Sequence, residues 1–107
     1  MRRYQVLIHP DAENELDHAY RHIAADAPER AVRWRKQLLK KVQSLKTFPD
    51  RCPKAPEATS LGEDIRHLLV GKYRIIFVIE TSTVTILHIR HGAMLPVGTP
   101  PPEPDED

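Results

Sequence analysis

A single cysteine, Cys52, stands among the 107 residues. That excludes an intramolecular disulfide and any cysteine-built zinc cage, and it fits a reducing compartment. Long hydrophobic runs are missing too. The longest apolar stretch, Tyr73 to Ile79, is interrupted by Arg74 and falls far short of the roughly 20 residues that a membrane span needs. Arg2 and Arg3 follow the first methionine, but His9, Pro10 and Asp11 arrive too soon for a secretory apolar segment. A cytoplasmic protein without membrane association is therefore expected. Charge of one sign is also scarce, since 16 Lys and Arg face 15 Asp and Glu for a net +1. The length supports one compact domain and little more.

The near-zero balance hides an asymmetry. From Pro96 the chain reads PVGTPPPEPDED, with five of the ten prolines, four acids and no base. Such a segment cannot bury enough apolar surface to order itself, so residues 96–107 are expected to be a Pro-rich acidic disordered tail. Residues 1–95 then form the domain, with 16 bases against 11 acids, a net +5. Much of that excess falls on Arg33, Arg35, Lys36, Lys40 and Lys41, within one predicted helix. Such a face is either simply solvated or a docking face for an acidic partner.

Residues Tyr4 to His9 alternate weakly around Val6 and Ile8 and predict a first strand, which Pro10 ends while opening a helix. Ala12, Leu16, Ala19 and Ile23 mark its apolar face, with an end near Ala25. Asp26, Pro28 and Glu29 resemble a capping box for a second helix, whose apolar face is Ala31, Trp34, Leu38, Val42 and Leu45, with Trp34 half in the core. Phe48 to Glu63 carries three prolines and no period, and predicts an irregular connector. Three strands follow at Ile65–Val70, Tyr73–Glu80 and Val84–His91, separated by Gly71-Lys72 and by Thr81-Ser82-Thr83. The order is β-α-α-β-β-β. A helical hairpin on one face of a small, mainly antiparallel sheet makes an α+β fold.

Along the middle of these strands, Tyr73, Ile75, Phe77 and Ile79 should face the helices, leaving Arg74, Ile76, Val78 and Glu80 on the other side. A three-residue turn at Thr81-Ser82-Thr83 pairs Glu80 with Val84, Ile76 with His88 and Arg74 with Arg90. A two-residue turn would send Arg90 toward the helices, at a cost of several kcal/mol for an unpaired buried charge. The three-residue turn is therefore expected, with Arg74, His88 and Arg90 together on an open face suited to phosphate or carboxylate. In the alternative, Arg74 pairs with Glu80 or Asp64 and only solubilises the sheet. The preceding hairpin leaves open whether Arg66 or His67 lies beside Arg74. His91, at a strand end beside Gly92, has a structural reading as its default.

The segment Asp64-Ile-Arg-His-Leu-Leu-Val-Gly-Lys-Tyr-Arg-Ile-Ile-Phe, followed by Val84-Thr-Ile-Leu-His-Ile-Arg-His-Gly92, resembles the C-terminal half of the RelE/ParE toxin superfamily. Tyr4-x-Val, Pro10-x-Ala12, Leu16-Asp17 and Leu45-x-x-x-Pro49 extend the resemblance over about residues 4–94. It implies the toxin of a bacterial type II toxin–antitoxin module, with the fold order above. One branch of the superfamily poisons DNA gyrase by binding; the other cuts mRNA on the ribosome. Cutting requires a base, an acid and cations around the scissile phosphate. The resemblance offers Arg74 for that chemistry, with His88, Arg90 and His91 as further candidates. Gly92 is followed by Ala93 and Met94 rather than the basic residues usual there, which places the chain nearer the ParE-like, non-enzymatic branch. A metal-independent mRNA endoribonuclease or an attenuated toxin are the alternatives. Arg66, His67, Arg74, His88 and Arg90 are the candidates for binding target or antitoxin. The implied partners are a cognate antitoxin, which would carry the DNA-binding function, and gyrase or else ribosome and mRNA. No cofactor or metal is expected.

Overall fold

In the computed structural model, residues 3–58 and 64–92 are described. A first strand, β1 (Gln5–Ile8), leads into helix α1 (Pro10–Asp26), then α2 (Pro28–Gln43). Two single-turn 3-10 helices, Ser44–Lys46 and Pro49–Arg51, open the connector, and β2 (Ile65–Val70), β3 (Tyr73–Glu80) and β4 (Thr83–His91) complete the α+β fold. The sheet order is β1-β4-β3-β2. β1 runs parallel to β4, and the other two pairings are antiparallel. The tail from Pro96 onward lies outside the described residues.

Local chemistry sets the helix boundaries. His9 caps α1, its Nδ1 accepting the Asp11 amide at 3.0 Å, and Pro10 occupies the first turn where a missing N–H costs nothing. The capping box expected at Asp26 does not form. α1 continues through Asp26, and the Ala27 amide still donates to Ile23 O, so Asp26 is used up inside the first helix. Ala27 becomes the N-cap of α2 with no side chain able to accept.

Two apolar layers sit on opposite faces of the sheet. Ala12 and Leu16 from α1 and Leu38 and Val42 from α2 pack with Leu45 against Ile75, Phe77, Val84, Ile86 and Ile89. Each large side chain buried there contributes about 1.5–3 kcal/mol. Trp34 is half-buried against this core, its ring 5.0 Å from that of Tyr73. On the other face, Ala55 of the connector covers Ile65 and Ile76, with Ala58, Val78 and Leu87 beside them.

The β3–β4 register combines both alternatives weighed from sequence. The turn has two residues, Thr81-Ser82, with Glu80 opposite Thr83, Ile79 opposite Val84 and Phe77 opposite Ile86. The expected three-residue turn is therefore wrong. A β-bulge then inserts Leu87 between Ile86 and His88, which restores Ile76 opposite His88 and Arg74 opposite Arg90. A one-residue slip would turn every side chain over. The bulge buries Val84 and Ile86 against the helices while keeping Arg90 on the other face. In the β2–β3 hairpin, Gly71 at φ +57° makes a two-residue turn that places His67 opposite Ile76, hence on the face of Arg74. Arg66, opposite Phe77, belongs to the helix face.

Candidate functional site

The face expected to be open is covered. Connector residues are held along the outer edge of β2 by Ala55 N to Ile65 O, by His67 N to Pro53 O and by a bridge between Lys54 and Arg66, and from that edge Ala55 packs over Ile65 and Ile76. Under this cover lies Glu57, wholly buried, whose carboxylate takes both terminal nitrogens of Arg74 at 3.0 and 2.6 Å. The third donor of that guanidinium, Nε, goes to His67 Nδ1 at 3.2 Å. Arg74 is only 7% exposed. All three of its donor nitrogens are thus engaged within the protein, in the two-pronged geometry that an arginine offers to a phosphate. Neither Glu80 nor Asp64 is the partner. Burial, and then the Arg74 charge, hold the His67 imidazole below its usual pKa, with Glu57 opposing weakly. That agrees with a neutral ring whose Nδ1 accepts from Arg74.

Arg66 is also committed. Its Nη1 donates to Cys52 O at 2.6 Å and to Asp50 O at 3.2 Å, pinning the second 3-10 turn to β2. Burial pushes the neighbouring Cys52 thiol up in pKa, against the lowering influence of Arg51 and Arg66, so it stays a packed, unreactive thiol.

The remaining candidates lie at the other edge of the sheet. β1 ends opposite Ile86, and beyond it the outer edge of β4 is closed by α1 instead. Glu15 of α1 accepts the Ile89 amide at 3.3 Å and meets His88 Nδ1 at 2.9 Å. A cleft of about 670 Å³ opens beside this pair, lined by His18 and His22 of α1 and by Tyr73, Arg90 and His91. His91 stands edge-on to Tyr73, with ring centroids 5.2 Å apart. The register keeps Arg74, His88 and Arg90 on one face, as expected from sequence, but the Arg74 guanidinium is taken up by Glu57 and His67, and His88 meets Glu15. Among the described residues, no three His, Cys, Asp or Glu side chains converge to hold a metal ion, and no helix is long and apolar enough to cross a membrane.

Accessible positive charge lies instead on α2. Arg33, Arg35, Lys36, Lys40 and Lys41 are exposed, Arg35 resting 5.9 Å over the Tyr20 ring. The C-terminal end of this row borders a trench of about 600 Å³ that also touches Ser44, Leu69, Val70 and Gly71. Glu57 and Glu15 are the two residues that sequence reasoning missed. The only signal for Glu57 was its place in the weakly apolar stretch Cys52 to Ala58, where a lone acid asks for a partner. Nothing marked Glu15 among the acids of α1.

Residues 6–96 match the family described as the ParE toxin of the type II toxin–antitoxin system parDE. No curated protein matches by sequence. Among solved structures, a chain of the chromosomal ParDE system of P. aeruginosa superposes with a TM-score of 0.70 at 20% identity, over 82% of this chain and 95% of that one. A chain from the RelBE2 toxin–antitoxin complex of Mycobacterium tuberculosis gives 0.55 at 25% identity, over 85% and 93%. The β-α-α-β-β-β order reached from sequence is the fold of these neighbours.

Proposed function

The chain belongs to the ParE toxin family of type II toxin–antitoxin systems, and from that premise we propose that it arrests growth by binding DNA gyrase rather than by cutting RNA. The observation that carries this reading is the Glu57–Arg74 pair. An RNA-cleaving site of the metal-independent kind needs cations aimed at the phosphate where charge develops. The arginine that would serve is buried and already holds a carboxylate. A toxin that acts by binding needs a surface only, and the α2 row with the adjoining trench supplies an exposed cationic one.

A cognate antitoxin neutralises the toxin in this reading, docking an acidic, partly apolar segment on that surface and carrying the DNA-binding function of the complex. The site of action is the cytoplasm. Residues 1–95 act as the toxin domain.

A supercoiling assay with purified gyrase tests the proposal. The expected result is inhibition or trapped cleaved DNA, reversed by the antitoxin. Codon-linked cuts in primer extension on a reporter mRNA, with gyrase untouched, would refute it in favour of the nuclease. Growth arrest should be scored with Lys40→Glu and Arg33→Glu. Arg74→Ala is a poor probe, because it strikes the fold first.

A further inference from the structure

We propose that the chain's own acidic C-terminal segment, residues 96–107, docks in the trench between the end of α2 and the β2–β3 corner and masks its lysines. The trench is lined by Gln37, Lys40, Lys41, Ser44, Leu69 and Gly71. Leu69 is 62% exposed, the most exposed of the large apolar side chains among the described residues. The first half of β2 has its outer edge covered by the connector, through Lys54, Pro53 and Ala55. Past His67 that cover ends among the described residues; Leu69, opposite Arg74, lies on the far face of this strand edge, and Lys40 and Lys41 lie across the edge on the helix side of the same trench.

The chain leaves the sheet next to this place. The Gly92 amide donates to Lys72 O at 2.7 Å, so the last described residue is fixed at the β2–β3 corner. A shallow cleft lined by Leu69, Gly71, Lys72 and Gly92 shares Leu69 and Gly71 with the trench, and so makes a continuous path from one to the other. Reach is ample. Eleven residues separate Gly92 from Glu103, about 34 Å in polyproline II form, whereas neighbouring strands are only about 4.8 Å apart.

Charge and shape name the occupant. The segment carries Glu103, Asp105, Glu106 and Asp107 without a base, and Pro100 to Pro102 just ahead of them. Prolines lay a stiff apolar ridge on Leu69 at small entropic cost, and the acids that follow meet Lys40 and Lys41. The two lysines outweigh the partial negative charge, about half a unit, at the C-terminus of α2. Tethering supplies an effective concentration in the millimolar range, enough for contacts that would be negligible between separate molecules. An acidic partner arriving at this trench must then displace the chain's own segment first. The inference stands whether or not gyrase is the target.

Amide NMR spectra of the full chain and of a full-length variant with Glu103→Gln, Asp105→Asn, Glu106→Gln and Asp107→Asn test it. At low salt the two should differ at Lys41, Ser44, Leu69, Val70 and Gly71. Raising salt to about 0.5 M, where the screening length shrinks to about 4 Å, should merge them. Lys40→Glu with Lys41→Glu, both exposed positions, should abolish the difference. Superimposable spectra at low salt would overturn the proposal. So would differences that fall on the α1 cleft instead, or that grow with protein concentration, since the latter would mean a second copy's segment.

Discussion

Removing either partner of the Glu57–Arg74 pair should cost far more than the loss of a surface ion pair. Glu57 is wholly buried and the Arg74 side chain is 9% exposed, so neither can turn to water when its partner is gone. Breaking a buried pair by truncating one side costs about 3–5 kcal/mol, most of it the stranding of the other charge. A domain of this size has a total stability of about 5–10 kcal/mol. Glu57→Leu and Arg74→Met are each expected to remove about 3–4 kcal/mol, lowering Tm by some 15–25 °C. The double variant Glu57→Leu/Arg74→Met leaves no charge behind and should lose less than the sum of the two single changes by at least about 2 kcal/mol. Urea unfolding followed by circular dichroism gives all the terms of the cycle. Single losses under about 1 kcal/mol, or losses that simply add, would refute the reasoning and mean that the connector lifts off readily to hydrate Arg74.

Other perturbations test other parts of the fold. Because the folded His67 imidazole titrates below its unfolded value, the unfolded chain binds more protons just under the usual histidine pKa. The stability contribution of neutral His67 should be present above about pH 6.5 and lost as pH falls through the depressed folded value, and His67→Gln should flatten that slope in urea titrations at stepped pH. Thr81 holds a β-branched side chain at φ +40°, so Thr81→Gly should stabilise by about 1 kcal/mol, whereas Gly71→Ala, at φ +57°, should destabilise by about the same amount; paired thermal melts read both. Deleting Leu87 should leave the protein folded at a cost of about 2 kcal/mol, since a ladder without the bulge already has Phe77 opposite Ile86 and Ile76 opposite His88. Loss of the cross-strand NOEs between Arg74 and Arg90 in that deletion would contradict it.

The strands and helices were legible because their periods are strong: Ala12, Leu16 and Ala19 on α1, and Ile75 and Phe77 on β3, face where their spacing says. The bulge was not legible. Both the turn length and the distal pairing of β4 obey local rules, and only a residue counted twice reconciles them. The parallel seat of β1 beside β4 carried no local signature. The site was misread for a related reason. Arg74, His88 and Arg90 do share a face by register, but an irregular connector without period gives no sign of which surface it covers. It folds over that face because Ala55 has Ile65 and Ile76 to cover, and Glu57 comes with it. Long-range cover of this kind depends on contacts such as Ala55 with Ile76 and Glu57 with Arg74, far apart in sequence and in a segment that repeats nothing.

The same geometry bears on what the scaffold could become. A phosphate at Arg74 would have to replace two carboxylate oxygens at 2.6 and 3.0 Å that are already stripped of water. Glu57→Gln would not free the guanidinium for RNA, because it would bury an uncompensated charge beneath a connector still held by Ala55 and Pro53. A nuclease would need the connector itself reshaped to open the face, and then a base and an acid brought to it. His67, with its pKa held down, lies within reach of Arg74, but His88 is paired with Glu15 and Arg90 lines the cleft beside α1. Fold and strand motif are therefore compatible with either activity, and on the proposed function it is Glu57, buried beneath the connector, that favours binding over cleavage.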